Sequence, residues 1–462
     1  VHRKRDNPEK SDSDKLKTNN IDGIIHLQSL DEYSDDIKDK DTEKLSSAAC
    51  ESVINLIKTI TASKFIKSPK LILITKQSQH IAAEDKINGL NASPLWGLGK
   101  VISLEHPELK CARIDISGNE ESDIKLSADE IMSDGREGEV AFRKGERYVS
   151  RLTRPVQSAE KKTEIKKDAS YLITGGTKGL GLLFAEYLAD KGAGHLVLLS
   201  RGETSEDNLK KIEAIRKSGT EVKTFTADIT KKDELKKVID DISSSGYSLK
   251  GIIQSAGLLD DGIITNQSKD KFDRVLAPKV LGSWYLSELT KDMDLDFFIM
   301  FSSIASTLGS AGQSNHSAAN AFLDSFAYYR RARGLSATTI NWGVWSESGS
   351  AAGIGADRQE KIPGLNIITP ELGLKLFDRI FSRDITRTGA FSIDWKRFEE
   401  KVSSKQLLNF VSGLMIKDKA EISGKKETPS ERKKTNILEE LRNSPGEKHT
   451  ELLTKYFRKL IS

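Results

Sequence analysis

The sequence predicts an α/β protein built from two Rossmann-like subdomains, the first truncated and structural, the second a complete doubly wound parallel sheet. Three observations predict it. A glycine-rich turn, YLITGGTKGLG over Tyr171–Gly181, sits between an apolar strand and a helix. Strand and helix patterns then alternate in crossover-sized pieces as far as Ile393, which calls for parallel pairing with helices on both faces. In the first half, IIHLQSL and LILITKQS match IIQSAGLL and FIMFSSIA of the second at about equal separations, as a duplicated fold would give.

In chain order, residues 1–20 are charged and rich in Ser, Asp and Lys, so they read as a linker. They lack an initiator Met and an apolar signal core, and the chain reads as a piece of a longer polypeptide. The first unit, 21–155, has strands at Ile24–Leu27, Lys70–Lys76 and Cys111–Ile116 and helices at Leu45–Ile60 and Ser93–Leu104. Gly138–Thr153 alternates like a hairpin. This unit carries no glycine-rich turn, so it cannot cradle a diphosphate and is expected to pack as a structural partner. Gln157–Asp168 is a Lys- and Glu-rich connector.

The second unit, 156–420, has expected strands at Tyr171–Ile173, His195–Leu199, Val222–Thr226, Gly251–Gln254, Phe297–Phe301, Thr338–Asn341 and Gly389–Ile393. Helices fill the gaps at Leu180–Lys191, Glu206–Ser218, Lys232–Ile242, Phe272–Leu289, Ala311–Arg333 and Pro370–Phe381. Charge dominates again from about Lys417, and Asn436–Ser462 has an amphipathic helical pattern.

Composition excludes several function classes. The 72 basic and 68 acidic residues nearly cancel, so neither nucleic acid nor an anionic membrane is an expected partner. No apolar run reaches the roughly 18 residues of a membrane span. Two cysteines, Cys50 and Cys111, exclude a disulfide framework or cysteine-built zinc site and fit a reducing cytoplasm. The histidines show no metal spacing, and the five tryptophans sit in apolar contexts that read as core.

The turn points to a dinucleotide. Thr174, Gly175, Gly176, Thr177, Gly179, Leu180 and Gly181 are candidate coenzyme contacts, because small residues let the backbone approach a diphosphate at a helix start. At the end of the second strand an acidic residue would bind the ribose hydroxyls of NAD. This chain has Ser200 and Arg201 there, and a guanidinium suits the 2′-phosphate of NADPH. Asp228, followed by Ile229, would accept from the adenine amine or cap the next helix. Ser255, Ala256 and Gly257 end the fourth strand with small residues, where backbone passes close to the nicotinamide ribose.

The glycine pattern, LLSR, SAGLLDDG, LAPKVLGSWYL, FSSIASTLGSAGQSNHSAANAFLD and INWGVWS together resemble the ketoreductase domain of a modular polyketide synthase, within the short-chain dehydrogenase/reductase superfamily. The resemblance covers about 21–400, since SPLWGLGKVISLEHPEL resembles that family's structural subdomain. It implies NADPH-dependent reduction of a β-ketoacyl group on an acyl carrier protein, with neighbouring synthase domains as further partners. By motif it assigns the supporting lysine to Lys279, the serine that hydrogen-bonds the substrate oxygen to Ser303 and the supporting asparagine to Asn320. The tyrosine position is occupied by His316. An imidazole is a competent acid near neutral pH, yet it differs from a phenol in size and shape. Two readings follow: an active reductase, or a reductase-inactive scaffold that keeps the fold and cleft. Leu259-Asp260-Asp261 resembles the LDD motif of B-type members, which implies a D-configured product, and Gln313 stands where a tryptophan marks the other orientation. Ser346–Gly364 reads as a lid. The stretch 421–462 resembles a linker and the opening helix of a carrier protein, without its phosphopantetheine-accepting serine motif.

Overall fold

The computed structural model describes residues 21–31, 39–63, 65, 67–82, 84–118, 121–133, 135, 137–155, 158–161, 163–346 and 362–422. Most of the expected lid (347–361), the linker 1–20 and the expected C-terminal helix lie outside the described residues.

The first sheet contains β1 (Gly23–His26), β2 (Lys70–Lys76), β3 (Ala112–Ile116), β4 (Glu139–Arg143) and β5 (Glu146–Val149), in that spatial order. β1 to β4 are parallel, and β4–β5 is the expected antiparallel hairpin. Its helices are α1 (Asp39–Ala62), α2 (Pro94–Glu105) and α3 (Glu121–Met132). No helical pattern stands out in the sequence at α3. Two of its apolar residues, Ile124 and Met132, point to solvent, which blurs the helical period.

The second sheet holds seven parallel strands, β6 (Ala169–Thr174), β7 (His195–Ser200), β8 (Glu221–Thr226), β9 (Ser248–Gln254), β10 (Phe297–Ser303), β11 (Thr338–Trp342) and, later in the chain, β13 (Arg387–Ala390). Their order is β13-β11-β10-β9-β6-β7-β8, a doubly wound sheet with its switch point between β6 and β9. The helices between are α4 (Gly179–Asp190), α5 (Glu206–Lys217), α6 (Lys232–Ser244), α7 (Lys269–Leu289), α8 (Ile304–Leu308), α9 (Ser314–Arg331) and α10 (Pro370–Phe381).

Three expected elements differ in extent. Gly389–Ile393 is not one strand: β13 joins the main sheet, whereas β14 (Ser392–Ile393) pairs antiparallel with β12 (Leu365–Asn366) in a separate ribbon. Ala311–Arg333 shortens to α9, because Gly309 and Gly312 at φ +79° and +78° break the chain after α8. The charged stretch that begins at about Lys417 is helical to Ile422, in α12 (Lys405–Ile422), which follows α11 (Trp395–Lys401).

The duplication is visible in the pairing. β1-β2-β3-β4 has the same order as β9-β10-β11-β13. Thr75 faces Asp115 across β2–β3 as Ser302 faces Asn341 across β10–β11. The first sheet stops at β1, where the second continues through β6, β7 and β8. Those three strands carry the glycine turn, Arg201 and Asp228, so the truncation removes the whole nucleotide half.

The two sheets share a core through like helices, with buried residues of α1, α2, α7 and α9 in one cluster that includes Val53, Leu98, Val275 and Phe322. The closest approach is at Gly97 in α2. A Cβ there would lie 2.1 Å from the Ser317 carbonyl oxygen and 2.8 Å from the Ala318 nitrogen. Gly97→Ala must therefore separate α2 from α9, and a destabilisation of about 1–3 kcal/mol or more is expected in thermal or denaturant unfolding. Gly118→Ala, whose new methyl meets only the Lys76 side chain at 3.8 Å, is the control. It should stay within about 0.5 kcal/mol of the parent.

Candidate active site: a glycine cradle beside a buried lysine

The cradle begins where the fully buried β6 ends at Thr174. Gly175 and Gly176 both donate their N–H to the Leu199 carbonyl of β7, at 2.7 and 3.2 Å, which ties the turn to the neighbouring strand. Gly175 has φ +68°, and a Cβ on Gly181 would sit 2.2 Å from the Gly175 oxygen. Thr177 is buried inside the turn, and Gly179 and Leu180 start α4. No side chain caps that helix, so its first N–H groups face the turn as an anion site would need. On the other side, Ser255 Oγ donates to the Thr174 carbonyl at 2.6 Å, and Ala256 N–H donates to Thr174 Oγ1 at 3.2 Å. These residues fit a nicotinamide dinucleotide: the cradle is one that a single Cβ would fill.

Towards the adenosine end, Ser200 is buried and its Oγ donates to the Gly202 carbonyl at 3.0 Å, leaving Arg201 exposed at the strand tip. Asp228 does not cap α6, whose N-cap position is Lys231. Its Oδ1 accepts instead from Thr230 N–H at 2.9 Å and Thr230 Oγ1 at 2.8 Å, a local turn that holds the carboxylate at the rim. Ile229 is buried against Gly282 of α7.

At the carboxyl ends of β9 and β10, Gly257, Lys279, Ser303 and His316 line one cavity of about 160 Å³, with Leu259 and Gln313 at its margin. Lys279 is buried in α7 and its Nζ donates to the Phe301 carbonyl at 2.7 Å. Burial pulls its pKa down to about 8, against the opposing pull of the Asp324 carboxylate. Ser303 caps α8: its Oγ accepts from Ala305 N–H at 3.2 Å, which leaves the hydroxyl proton to donate elsewhere. His316 lies in the first turn of α9, with its N–H bonded to Asn315 Oδ1 at 2.7 Å. Asn320, one turn on, donates from Nδ2 to the His316 carbonyl at 2.8 Å. The Asn320 Oδ1 is buried and has no hydrogen-bond partner among the described residues.

Of the expected LDD positions only Leu259 lines the cavity. Asp260 pairs with Arg274 and lies 3.9 Å from Lys271 Nζ, and Asp261 accepts from Gln313 Nε2 at 3.1 and 3.2 Å. The two carboxylates hold the loop rather than face the cavity.

Comparison with known proteins places this arrangement. Residues 169–347 match the KR domain family, and residues 12–152 match the Rossmann fold domain of the polyketide synthase extender module SpnB. The chain belongs to the polyketide synthase ketoreductase family. It is 32% identical over 342 residues to a phenolphthiocerol/phthiocerol polyketide synthase protein of Mycobacterium tuberculosis, covering 73% of this chain and 18% of that protein. It is 35% identical over 315 residues to the polyketide synthase GfsB of Streptomyces halstedii, covering 67% of this chain and 6% of that protein. The chain thus spans less than a fifth of the length of either relative. Among solved structures it is similar to an A-type ketoreductase from a modular polyketide synthase, with a TM-score of 0.80, 26% identity, and coverage of 89% of this chain and 86% of that one. The first ketoreductase of the tylosin synthase gives 0.76 at 27% identity, covering 89% and 85%.

Sequence reasoning missed a buried polar knot behind this ketoreductase site. Asn341 Nδ2 donates to Ser306 Oγ at 2.7 Å and to both Asp324 oxygens at 2.9 Å, and Arg387 pairs with Asp324 at 3.0 Å. Asp324 follows Asn320 by four residues and His316 by eight, so one face of α9 carries all three; that spacing was the available signal. Among the described residues no helix is long and apolar enough to cross a membrane and no cluster could hold a metal ion.

The cradle yields a direct expectation. Gly181→Ala should weaken binding of a reduced nicotinamide coenzyme by at least about tenfold, read by coenzyme fluorescence, while far-UV circular dichroism stays native. Unchanged affinity would show that the turn is not the coenzyme site.

Proposed function

We propose that this ketoreductase uses NADPH to reduce a β-ketoacyl group, presented as a thioester on an acyl carrier protein, to a D-configured β-hydroxyacyl group. The observation that carries the proposal is the gathering of Lys279, Ser303 and His316 around one cavity, with Asn320 one helical turn behind. When bound, the coenzyme supplies the hydride that turns the ketone into an alcohol. Ser303 donates a hydrogen bond to the substrate oxygen and His316 gives that oxygen its proton. Asn320 fixes the His316 backbone through its Nδ2, and the Lys279 ammonium biases the site toward proton delivery. Thr174 to Gly181 hold the diphosphate, with Ser255, Ala256 and Gly257 beside the ribose of the reacting ring, while Arg201, exposed where an acidic residue would select NADH, takes the 2′-phosphate. Asp228 and Ile229 flank the adenine. The D configuration rests on the LDD loop and on Gln313, whose amide is engaged with Asp261. Within a longer synthase we assign 1–20 to a linker, 21–155 to the structural subdomain, 156–420 to the reductase and 421–462 to a linker and the start of a carrier-protein domain, with the cytoplasm as its compartment.

A second reading is favoured by one residue. Where the family tyrosine would stand, His316 offers a smaller ring, so the domain would bind coenzyme without reducing. Oxidation of NADPH and of NADH with a β-ketoacyl thioester mimic, for the parent chain and His316→Tyr, separates the readings. Turnover by the parent with preference for NADPH supports the reductase, and Ser303→Ala should then cost at least about tenfold in kcat. Coenzyme binding with turnover only in His316→Tyr supports the scaffold, and absence of coenzyme binding rejects both.

The lysine predicts a pH profile. Burial disfavours the Lys279 ammonium, so the charged form prevails below about pH 8 and is lost as pH rises through that value. The rate of reduction should fall above about pH 8, and Lys279→Met should abolish that limb while lowering kcat by about 10² or more. A limb that persists in Lys279→Met assigns it to another group.

A further inference from the structure

We propose that Glu105, in the structural subdomain, is a positioning residue that sets the gap through which the β-ketoacyl thioester reaches His316. The proposal rests on the reductase reading above. Glu105 is the last residue of α2, and each of its carboxylate oxygens accepts one backbone N–H of the reductase subdomain. Oε1 accepts from Gly312, at the start of the turn that leads into His316, and Oε2 from Ile264, just after the LDD loop, both at 2.7 Å. One side chain thus joins the two loops that bring Leu259 and Gln313 to the cavity, which we take as the walls of its entrance.

The walls are further bound to each other. Gly262 N–H donates to the Gly312 carbonyl at 2.7 Å, Asn315 Nδ2 donates to the Asp260 carbonyl at 2.8 Å, and Gln313 reaches Asp261. Leu259 and Gln313, one from each wall, line the cavity. The end of α2 also abuts the turn directly, since a Cβ on Gly309 would meet Leu104 Cδ1 at 2.9 Å. A carboxylate at the C-terminus of its own helix opposes that helix dipole, but beside Gly312 it lies at the N-terminus of α9, where negative charge is favoured. Its placement is explained by α9 and the LDD loop, not by α2. A bidentate acceptor bridging two N–H groups also cannot be replaced by an amide, whose NH₂ would face one of the donors.

The test compares Glu105→Gln and Glu105→Asp with Val140→Ala, a core truncation in β4 on the far side of the first sheet. Amide exchange is read first, with no substrate present. Glu105→Gln should speed exchange at Gly312 and Ile264 by about tenfold or more, with the change confined to 262–264 and 310–316. With the thioester mimic, it should raise KM by about tenfold and increase the minor hydroxyl stereoisomer at least about threefold. Glu105→Asp should restore part of both, whereas Val140→Ala lowers the melting temperature and moves neither. Unchanged exchange at the two amides overturns the proposal even if the parent chain proves inactive, in which case the reductase reading fails separately. Faster exchange with KM and stereoisomer ratio at parent values in an active chain also overturns it.

Discussion

The contact of α2 with the first turn of α9 is the constraint on which the rest depends. Gly97 lets the two backbones meet at Ser317, the residue next to His316, and no larger side chain fits there. A site built on one helix turn is only as precise as whatever holds that turn, and here the holder belongs to the other subdomain. The first sheet has lost the strands that would bind a nucleotide but kept the helices that pair with α7 and α9. Those two helices carry Lys279, His316 and Asn320. Retaining half a Rossmann unit is thus explained by what its helices brace.

Electrostatics complete what packing begins. Lys279 is buried, and burying an ammonium is unfavourable unless charge or hydrogen bonds offset it. The Phe301 carbonyl and the field of Asp324 supply the offset. Asp324 is itself a buried carboxylate, satisfied by Ser306, Asn341 and Arg387. The first subdomain buries a carboxylate at the strand position that corresponds to Asn341: Asp115 accepts from Thr75 at 2.6 Å and from Ser78 Oγ at 2.8 Å, and pairs with Arg143 at 2.6 Å. In the second sheet the carboxylate comes instead from α9, where Asp324 also acts on the buried Lys279.

Much of this was legible in the sequence, for identifiable reasons. Strands buried on both faces read as continuous apolar runs, so KLILITK and the five interior strands of the second sheet, β6, β7, β9, β10 and β11, stood out. The glycine turn, Lys279 and Ser303 were visible because each belongs to a motif confined to a few neighbouring residues. What failed to show depended on contacts between distant segments. The pairing of Asp260 with Arg274 and of Asp261 with Gln313 is of this kind, since the folded loops bring these partners near. Glu105 looks like an ordinary helix-surface acid in the sequence, and Asp324 is marked there only by its spacing from Asn320 and His316. The division of 389–393 between two sheets likewise follows from β12, a two-residue strand too short to have a pattern.

The imidazole at position 316 gains meaning from its surroundings. Its backbone is gripped on both sides, by Asn315 Oδ1 on its N–H and by Asn320 Nδ2 on its carbonyl. The exchange of a phenol for an imidazole thus leaves the helix turn in place and alters only the group it presents. Around it the molecule keeps features that cost stability: a buried lysine, and an Asn320 side-chain Oδ1 with no partner among the described residues. A domain kept only as a scaffold gains nothing from either and would be more stable with an apolar residue at 279. Both fit the proposed reductase, in which His316 would be the acid at the centre of the site.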